Sequence, residues 1–362
     1  MVGEAGSGGS WFQRFLLPGF ALKAVIIGGG YATGRELAEY FVPAGPWGGL
    51  AGMLLATLIW SVVAALTFAL ARQLHAYDYR SFFQQLLGPG WVLFEAAYLI
   101  FVVLILAVFG AAAGAIGAAT FGWPELMGAV VLAAAILFAT AFGEAGVERL
   151  FKYASMLIYA VYALFLFFAL TRFGDRIGAG FAAAGPPADG WMAGGITYAS
   201  YNIRDALIAG AIAGPLTMLP AILFFVAMMA FYPGIGDETL PSDFLLRQMA
   251  VPGFHLLFQL MIFTALLESG VGAIHAINER IAGAFEARGR AAPGTAGRAL
   301  IGAAILAGCM FVAARVGLVD LIASGYRILA WLFLAVYVVP LLGIGTYRLV
   351  KRGPTSMQEV RP

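Results

Sequence analysis

Glu268 stands inside an apolar run, with FTALL before it and SGVGAI after it. A carboxylate in hydrocarbon costs several kcal/mol unless it is paired, coordinated to a cation or protonated. The position therefore points to cation binding or proton transfer, with a structural ion pair to Arg35 or Arg204 as the plainer alternative. Thr264, Glu268, His275 and Glu279 follow one another at i, i+4, i+11 and i+15, a single helix face, and Gly272 leaves space between them. His275 and Glu279 lie towards the end of that segment, where a solvated face or a salt bridge explains them equally well.

A second group of chemistry-bearing residues surrounds the string IIGGGYATGREL, residues 26–37. Three consecutive glycines destabilise a helix. A break at Gly28, Gly29 and Gly30 makes Thr33 the N-cap of a second half-helix with Glu36 at N3, a capping box. Farther along, GGITYASYNIRDAL repeats the order Gly-Gly, Tyr-Ala, Thr or Ser, Arg and acid. It parses with Asn202 as N-cap and Asp205 at N3. Bared N–H groups at such breaks favour an anion, and bared carbonyls an ammonium or metal cation. Tyr31, Tyr198, Ser200, Tyr201 and Asn202 cluster at the two breaks and carry the hydroxyls and amide that orient a small polar ligand. The plainer reading is an unbroken, glycine-rich packing surface, since helices in lipid use Gly for close contact. Arg35 and Glu39 are spaced to pair at i, i+4, and Arg204 is placed to hold a carboxylate or an acid elsewhere in the bundle. Lys152, Ser155, Tyr159 and Tyr162 share one face of another segment, while Glu95 and Tyr98 precede a further apolar run.

These residues need membrane helices to position them. Of 362 residues, 62% are hydrophobic and only 11% are charged. Apolar runs of about 20 residues recur from end to end, the length that a hydrocarbon core of about 30 Å demands. The alternating pattern of a β-barrel is absent. Ten crossings are expected at 17–41, 48–71, 91–119, 124–142, 150–171, 190–213, 215–232, 252–284, 298–315 and 326–349. With the N-terminus inside, Lys and Arg divide 14 to 5 in favour of the cytoplasmic segments, with Arg35 and Arg204 in the membrane. Both termini are then cytoplasmic. Ten helices divide into two halves of five (about 12–172 and 188–350), which must enter from opposite sides. Interrupted segments at matching places in two such halves mark the binding site of many secondary transporters.

The net charge of +2 excludes a nucleic-acid partner, and the lone Cys309 excludes an internal disulfide or a Cys-based metal site. No cleavable signal peptide, nucleotide loop, catalytic triad or His-rich metal cluster is evident, so the chain reads as a non-enzyme. The expected partners are a small-molecule substrate and the lipid bilayer.

GGGYATGRELAEYF, YASYNI and ESGVGAIHAINERI together resemble the YkvI-like bacterial membrane proteins, a distant branch of the amino acid–polyamine–organocation superfamily with the LeuT-type fold. Tyr31 stands where that family favours Phe. The resemblance implies an all-α 5+5 inverted repeat with helices 1 and 6 broken, in a bacterial inner membrane. It further implies a secondary transporter of an amino acid or related amine, driven by Na⁺ or H⁺. By that analogy Glu268, with Thr264 or Ser269 and carbonyls from Ile27 to Gly30, forms the coupling site. Lys152 then stands where some proton-coupled relatives carry a lysine. Glu36 has a direct role besides capping, and Tyr98 reaches a cavity between helices 1, 3, 6 and 8. Two rivals remain at this stage. One is a divalent-metal permease, for which Met53 and Met192 are unconvincing ligands. The other is a ligand-sensing subunit that does not transport.

Overall fold

The structure is a computed structural model that describes residues 29–76, 79–140, 143–202, 218–286 and 288–351, with main chain only at 29–30, 143–155 and 201–202. Its regular elements, among the described residues, are helices. In chain order they are α1 (Gly29–Ala32), α2 (Arg35–Tyr40), α3 (Gly45–Leu74), α4 (Tyr79–Leu87), α5 (Trp91–Phe121), α6 (Glu125–Thr140), α7 (Gly143–Ala183) and α8 (Trp191–Asn202). There follow α9 (Met218–Phe231), α10 (Pro241–Met249), α11 (Phe254–Glu286), α12 (Thr295–Val316) and α13 (Leu318–Lys351).

The described parts of the ten expected segments are largely helical, the first of them with a turn at Thr33 and Gly34. Among the described residues six stretches are long and apolar enough to cross a membrane: Arg35–Leu74, Tyr79–Phe121, Met156–Ala183, Phe254–Glu286, Thr295–Val316 and Leu318–Lys351. Leu58, Leu93, Phe138, Leu300 and Val350 all point outward. A soluble protein seldom exposes so much contiguous apolar surface, whereas a bilayer solvates it. This is a multi-pass membrane protein.

Two segments depart from their expected lengths. α7 is 41 residues long, about 60 Å at 1.5 Å per residue, and so outruns the 22 residues expected at 150–171. Its extra turns are tied down where the Trp47 indole donates to the Phe181 carbonyl at 3.1 Å. α13 widens into π-type turns at Leu321–Tyr326, Leu334–Val338 and Leu341–Gly345, a geometry that hydropathy does not report.

Small residues set the closest packing. A side chain at Gly195 would meet the Gly52 carbonyl at 2.5 Å, so α3 and α8 approach main chain to main chain. α4 is an amphipathic helix at one end of the bundle and buries Phe82, Phe83 and Leu86. Phe83 stacks on Phe94 of α5 with centroids 3.4 Å apart, and Tyr337 of α13 stands edge-on to Phe83.

The chain passes back and forth between two ends. Arg35 lies near the end where α2 leads into α3, and α10 caps that same end. Arg280 lies near the opposite end, where α4 leads into α5 and α11 finishes.

Candidate functional site

The first helix is interrupted, but later than the glycines suggest. Gly29 and Gly30 are helical, and Gly28 lies outside the described residues. The break is a turn at Thr33 and Gly34, where Gly34 adopts φ 79°, a left-handed conformation that costs other residues about 1–2 kcal/mol. Four more contacts require glycine there or hold the turn. A Cβ on Gly34 would meet Phe224 at 2.6 Å and Pro241 at 3.2 Å. The Tyr31 carbonyl accepts from the Gly34 N–H at 3.0 Å, and the Gly34 carbonyl accepts from the Ala38 N–H at 3.0 Å. Gly34 is therefore the N-cap of α2. Thr33 stands one residue before that position and takes the Arg35 N–H on its hydroxyl, at 3.4 Å. The expected N-cap is corrected accordingly: Gly34 takes that place, and Glu36 sits in the first turn, where its charge complements the helix N-terminus.

Around this break the interior is apolar, aromatic and acidic. Tyr31 is 1% exposed, Tyr198 0%, Glu36 4% and Glu268 1%. The main chain of Ala221 on α9 bonds to the Tyr31 hydroxyl, and the Glu36 carboxyl lies within electrostatic reach of Tyr31 and Tyr198. Tyr198 is caged by rings, with centroids 4.9 Å from Phe41, 5.7 Å from Trp60 and 6.2 Å from Tyr40. The Trp60 indole fixes α8 by donating to the Ala199 carbonyl at 2.8 Å. Glu268 comes within electrostatic reach of Tyr159 on α7. Next along that face, Tyr162 is buried against Phe258, 5.7 Å between centroids, and its hydroxyl has no hydrogen-bond partner among the described residues. A buried hydroxyl left that way costs about 1–3 kcal/mol. Tyr159 and Tyr162 thus join the candidate site. Sequence spacing placed them on one face but had no means of saying what the face met.

The remaining candidates are distributed unevenly. Ser200 is buried and donates to the Ile196 carbonyl of its own helix at 2.6 Å. Thr264 does the same to Leu260 at 2.8 Å, which leaves oxygen lone pairs but no proton to offer. Ser269 is half-buried beside Glu268, whereas His275 and Glu279 are exposed. The single face of α11 is therefore buried only at mid-helix, and Glu279 pairs with Arg298 at 3.3 Å. Tyr98 lies away from the break, beneath Arg280. Ile27, Gly28, Arg204 and Asp205 lie outside the described residues, as do the side chains of Tyr201, Asn202, Lys152 and Ser155.

Two polar clusters close on the bundle from its ends. Arg35 is 5% exposed and donates through Nη1 to the carbonyls of Gly236 and Glu238, both at 2.9 Å, and through Nη2 to Glu39 at 2.9 Å. The spacing-based pair with Glu39 forms; Glu268 is not among the partners of Arg35. The Thr33 carbonyl accepts the Ser242 N–H at 3.0 Å. The stretch from Gly234 through α10 thus lies over the break as a lid. At the opposite end Arg280 bonds Glu95 at 2.5 Å and lies over two rings, 3.5 Å from the Tyr98 centroid and 4.1 Å from that of Tyr79. Sequence reasoning missed the lid and the partnership of Arg280, because each joins segments far apart in the chain.

An apolar cavity of about 210 Å³ lies between α5, α6 and α11, lined by residues such as Ala113, Phe121, Val131 and Leu260. It touches neither the break nor Glu268.

No family model and no curated protein matches the sequence. Solved structures do match the fold. One is a Na⁺-coupled sialic acid symporter in a substrate-bound, outward-open state. The likeness has a TM-score of 0.59 at 13% identity and covers 91% of this chain and 78% of the symporter. At that identity what the two share is the fold.

Proposed function

We propose that the protein is a secondary active transporter that couples a small solute to Na⁺ by alternating access. The observation that carries the reading is the buried interruption of the first helix at Thr33–Gly34, beneath the lid, in a bundle that also buries the carboxylates Glu36 and Glu268. Main chain freed from helical bonding at membrane depth belongs where it lines a ligand path. The fold shared with a Na⁺-coupled symporter supports the same reading.

In this proposal ten crossings form a 5+5 inverted repeat, with a second break following Asn202. The Arg35 end faces outward, and both termini are in the cytoplasm of a bacterial cell. Solute sits between Gly28–Gly30, Tyr31, Thr33, Tyr198, Ser200, Tyr201 and Asn202, with Tyr98 towards the exit. The cation sits at Glu268 with Thr264, Ser269 and the Ile27 carbonyl. That donor set is all oxygen, which suits a hard cation such as Na⁺ and needs no soft ligand. A soft-metal site is disfavoured, because Met192 is 54% exposed while Met53 is fully buried. The YkvI-like resemblance adds amino acids and related amines as the first solutes to try. Proton coupling through Lys152 is the alternative to Na⁺.

The test is uptake into proteoliposomes of labelled amino acids, amines and sugar acids under an inward Na⁺ gradient. Na⁺-driven accumulation that Glu268→Gln abolishes is expected. Undiminished, Na⁺-dependent accumulation by Glu268→Gln overturns the ion assignment. Ligand binding without counterflow of any solute overturns transport itself.

A further inference from the structure

The cavity of about 210 Å³ between α5, α6 and α11 stands apart from the broken helix and from Glu268. Its walls are held from outside. α5 and α6 cross main chain to main chain: a Cβ on Gly114 would meet the Glu125 carbonyl at 2.6 Å, and one on Gly128 would meet the Ala113 carbonyl. The third wall, α11, is tied to α10. There Gln259 Nε2 donates to Asp243 Oδ1 at 3.0 Å, an oxygen that also faces His255 Nε2 at 2.7 Å. A void between walls so fixed leaves its lining without dispersion partners on one side, and an occupant restores them.

Where the cavity opens decides what can enter. Phe121, Val131, Leu256 and Leu260 line it and are exposed, so in a bilayer its mouth faces hydrocarbon. Trp123, in the link between α5 and α6, lines the same end, and tryptophan favours the membrane interface. Ala113 lines the other end, eight residues before the end of α5, about 12 Å along the helix. The space therefore runs inward from the interface as a lipid chain does. A cavity of about 150 Å³ takes a benzene ring, so this one takes about eight carbons, a single chain.

One polar side chain breaks the apolar and aromatic lining. Gln259 is 3% exposed. A carboxylate only accepts, so the amide N–H side of Gln259 faces Asp243 and its Oε1 is turned away. That oxygen is buried and has no hydrogen-bond partner among the described residues. What it lacks is an O–H or N–H donor. Gln259 lies five residues into α11, about 8 Å from its start, near the inner edge of a polar layer about 5–8 Å thick. Water is a poor occupant, because it needs two to four polar partners. The ester oxygens of a two-chain phospholipid and the carboxylate of a fatty acid accept but do not donate.

We propose that this cavity binds a single-chain lipid alcohol from the bilayer, its hydroxyl donating to Gln259 Oε1 and its chain running past Gly117 towards Ala113. The occupant stands two contacts from the broken turn: Gln259 bonds Asp243, and the adjoining Ser242 donates its N–H to the Thr33 carbonyl at 3.0 Å. The site needs only a membrane-embedded chain and is independent of transport.

The test is photolabelling of the full chain in phosphatidylcholine nanodiscs with 1-decanol carrying a diazirine near its tail, and with the methyl ether of the same probe at equal bilayer concentration. The alcohol is expected to label peptides of α5 and α11 around Ala113–Phe121 and Leu256–Phe263, to saturate, and to be displaced by plain 1-decanol. The ether should label about three- to tenfold less, the worth of one hydrogen bond. Val131→Trp fills the mouth from its lipid-facing side and should abolish the saturable label. Gln259→Met keeps the volume without the acceptor and should label equally with alcohol and ether. Labelling that never saturates, or that falls evenly on lipid-facing positions such as Leu58 and Leu300, overturns the site. Equal labelling of the wild type by alcohol and ether, or displacement by decanoate as strong as by 1-decanol, overturns the lipid alcohol as its occupant. If Gln259→Met does not fold, the wild-type comparison of alcohol with ether decides alone.

Discussion

Arg35 and Arg280 are each withdrawn from water at opposite ends of the bundle, and each is satisfied differently. Arg35 spends its N–H groups on two main-chain carbonyls and one carboxylate, all at 2.9 Å. Such bonds are directional and weaken steeply when the angle changes. Arg280 has one carboxylate and two ring faces. Attraction to a ring face varies slowly with lateral position. The first arrangement is all-or-none: if the lid tilts, both carbonyl bonds go together, while the bond to Glu39 stays within α2. The second tolerates sliding of α11 against α4 and α5. A bundle that must release one end at a time gains from this asymmetry, because the two ends then respond to different displacements.

The comparison can be broken at specific places. Arg35→Ala should cost most. It leaves two half-buried carbonyls without their donor and Glu39 with the more distant Arg327, at 3.5 Å. A loss of about 3–5 kcal/mol is expected, seen as a lowered thermal midpoint in detergent together with faster amide exchange across the lid. Arg35→Lys should recover less than half of it, since one ammonium cannot reproduce the fork. An unchanged lid exchange rate in Arg35→Ala would show that other contacts hold it. Gly34→Ala ranks next, at about 2–4 kcal/mol, the sum of a left-handed residue bearing a Cβ and the overlap with Phe224. A midpoint within a degree of wild type would mean that the break is not where the left-handed residue sits. Glu95→Gln should follow, at about 1–3 kcal/mol, with exchange rising at the start of α5 and leaving the lid untouched. Tyr98→Leu is the mildest, at about 0.5–2 kcal/mol. An effect as large as that of Arg35→Ala would put the two ends on the same footing and erase the distinction.

Several features were legible from local pattern alone. Hydropathy anticipated a helical, multi-pass chain, because an apolar span must satisfy its backbone internally whatever its neighbours are. The i, i+4 spacing of Arg35 and Glu39 anticipated their bond. The interruption of the first helix was anticipated within a few residues. Of the three glycines, Gly28 lies outside the described residues, while Gly29 and Gly30 are helical. The turn forms instead at Gly34, where Phe224 and Pro241 occupy the space of a side chain.

Composition and spacing thus settled the class, an all-helical, multi-pass membrane protein, since that follows from the solvent that a run of residues requires. Folding alone decided which partners met. The carbonyls that hold Arg35 lie 201 and 203 residues along the chain from it, and Arg280 and Glu95 are separated by 185. The caging of Tyr198, the seating of Asp243 beside His255 and the burial of Glu268 but not His275 depend in the same way on how helices cross. Periodicity states which face a residue occupies; only packing states what stands opposite.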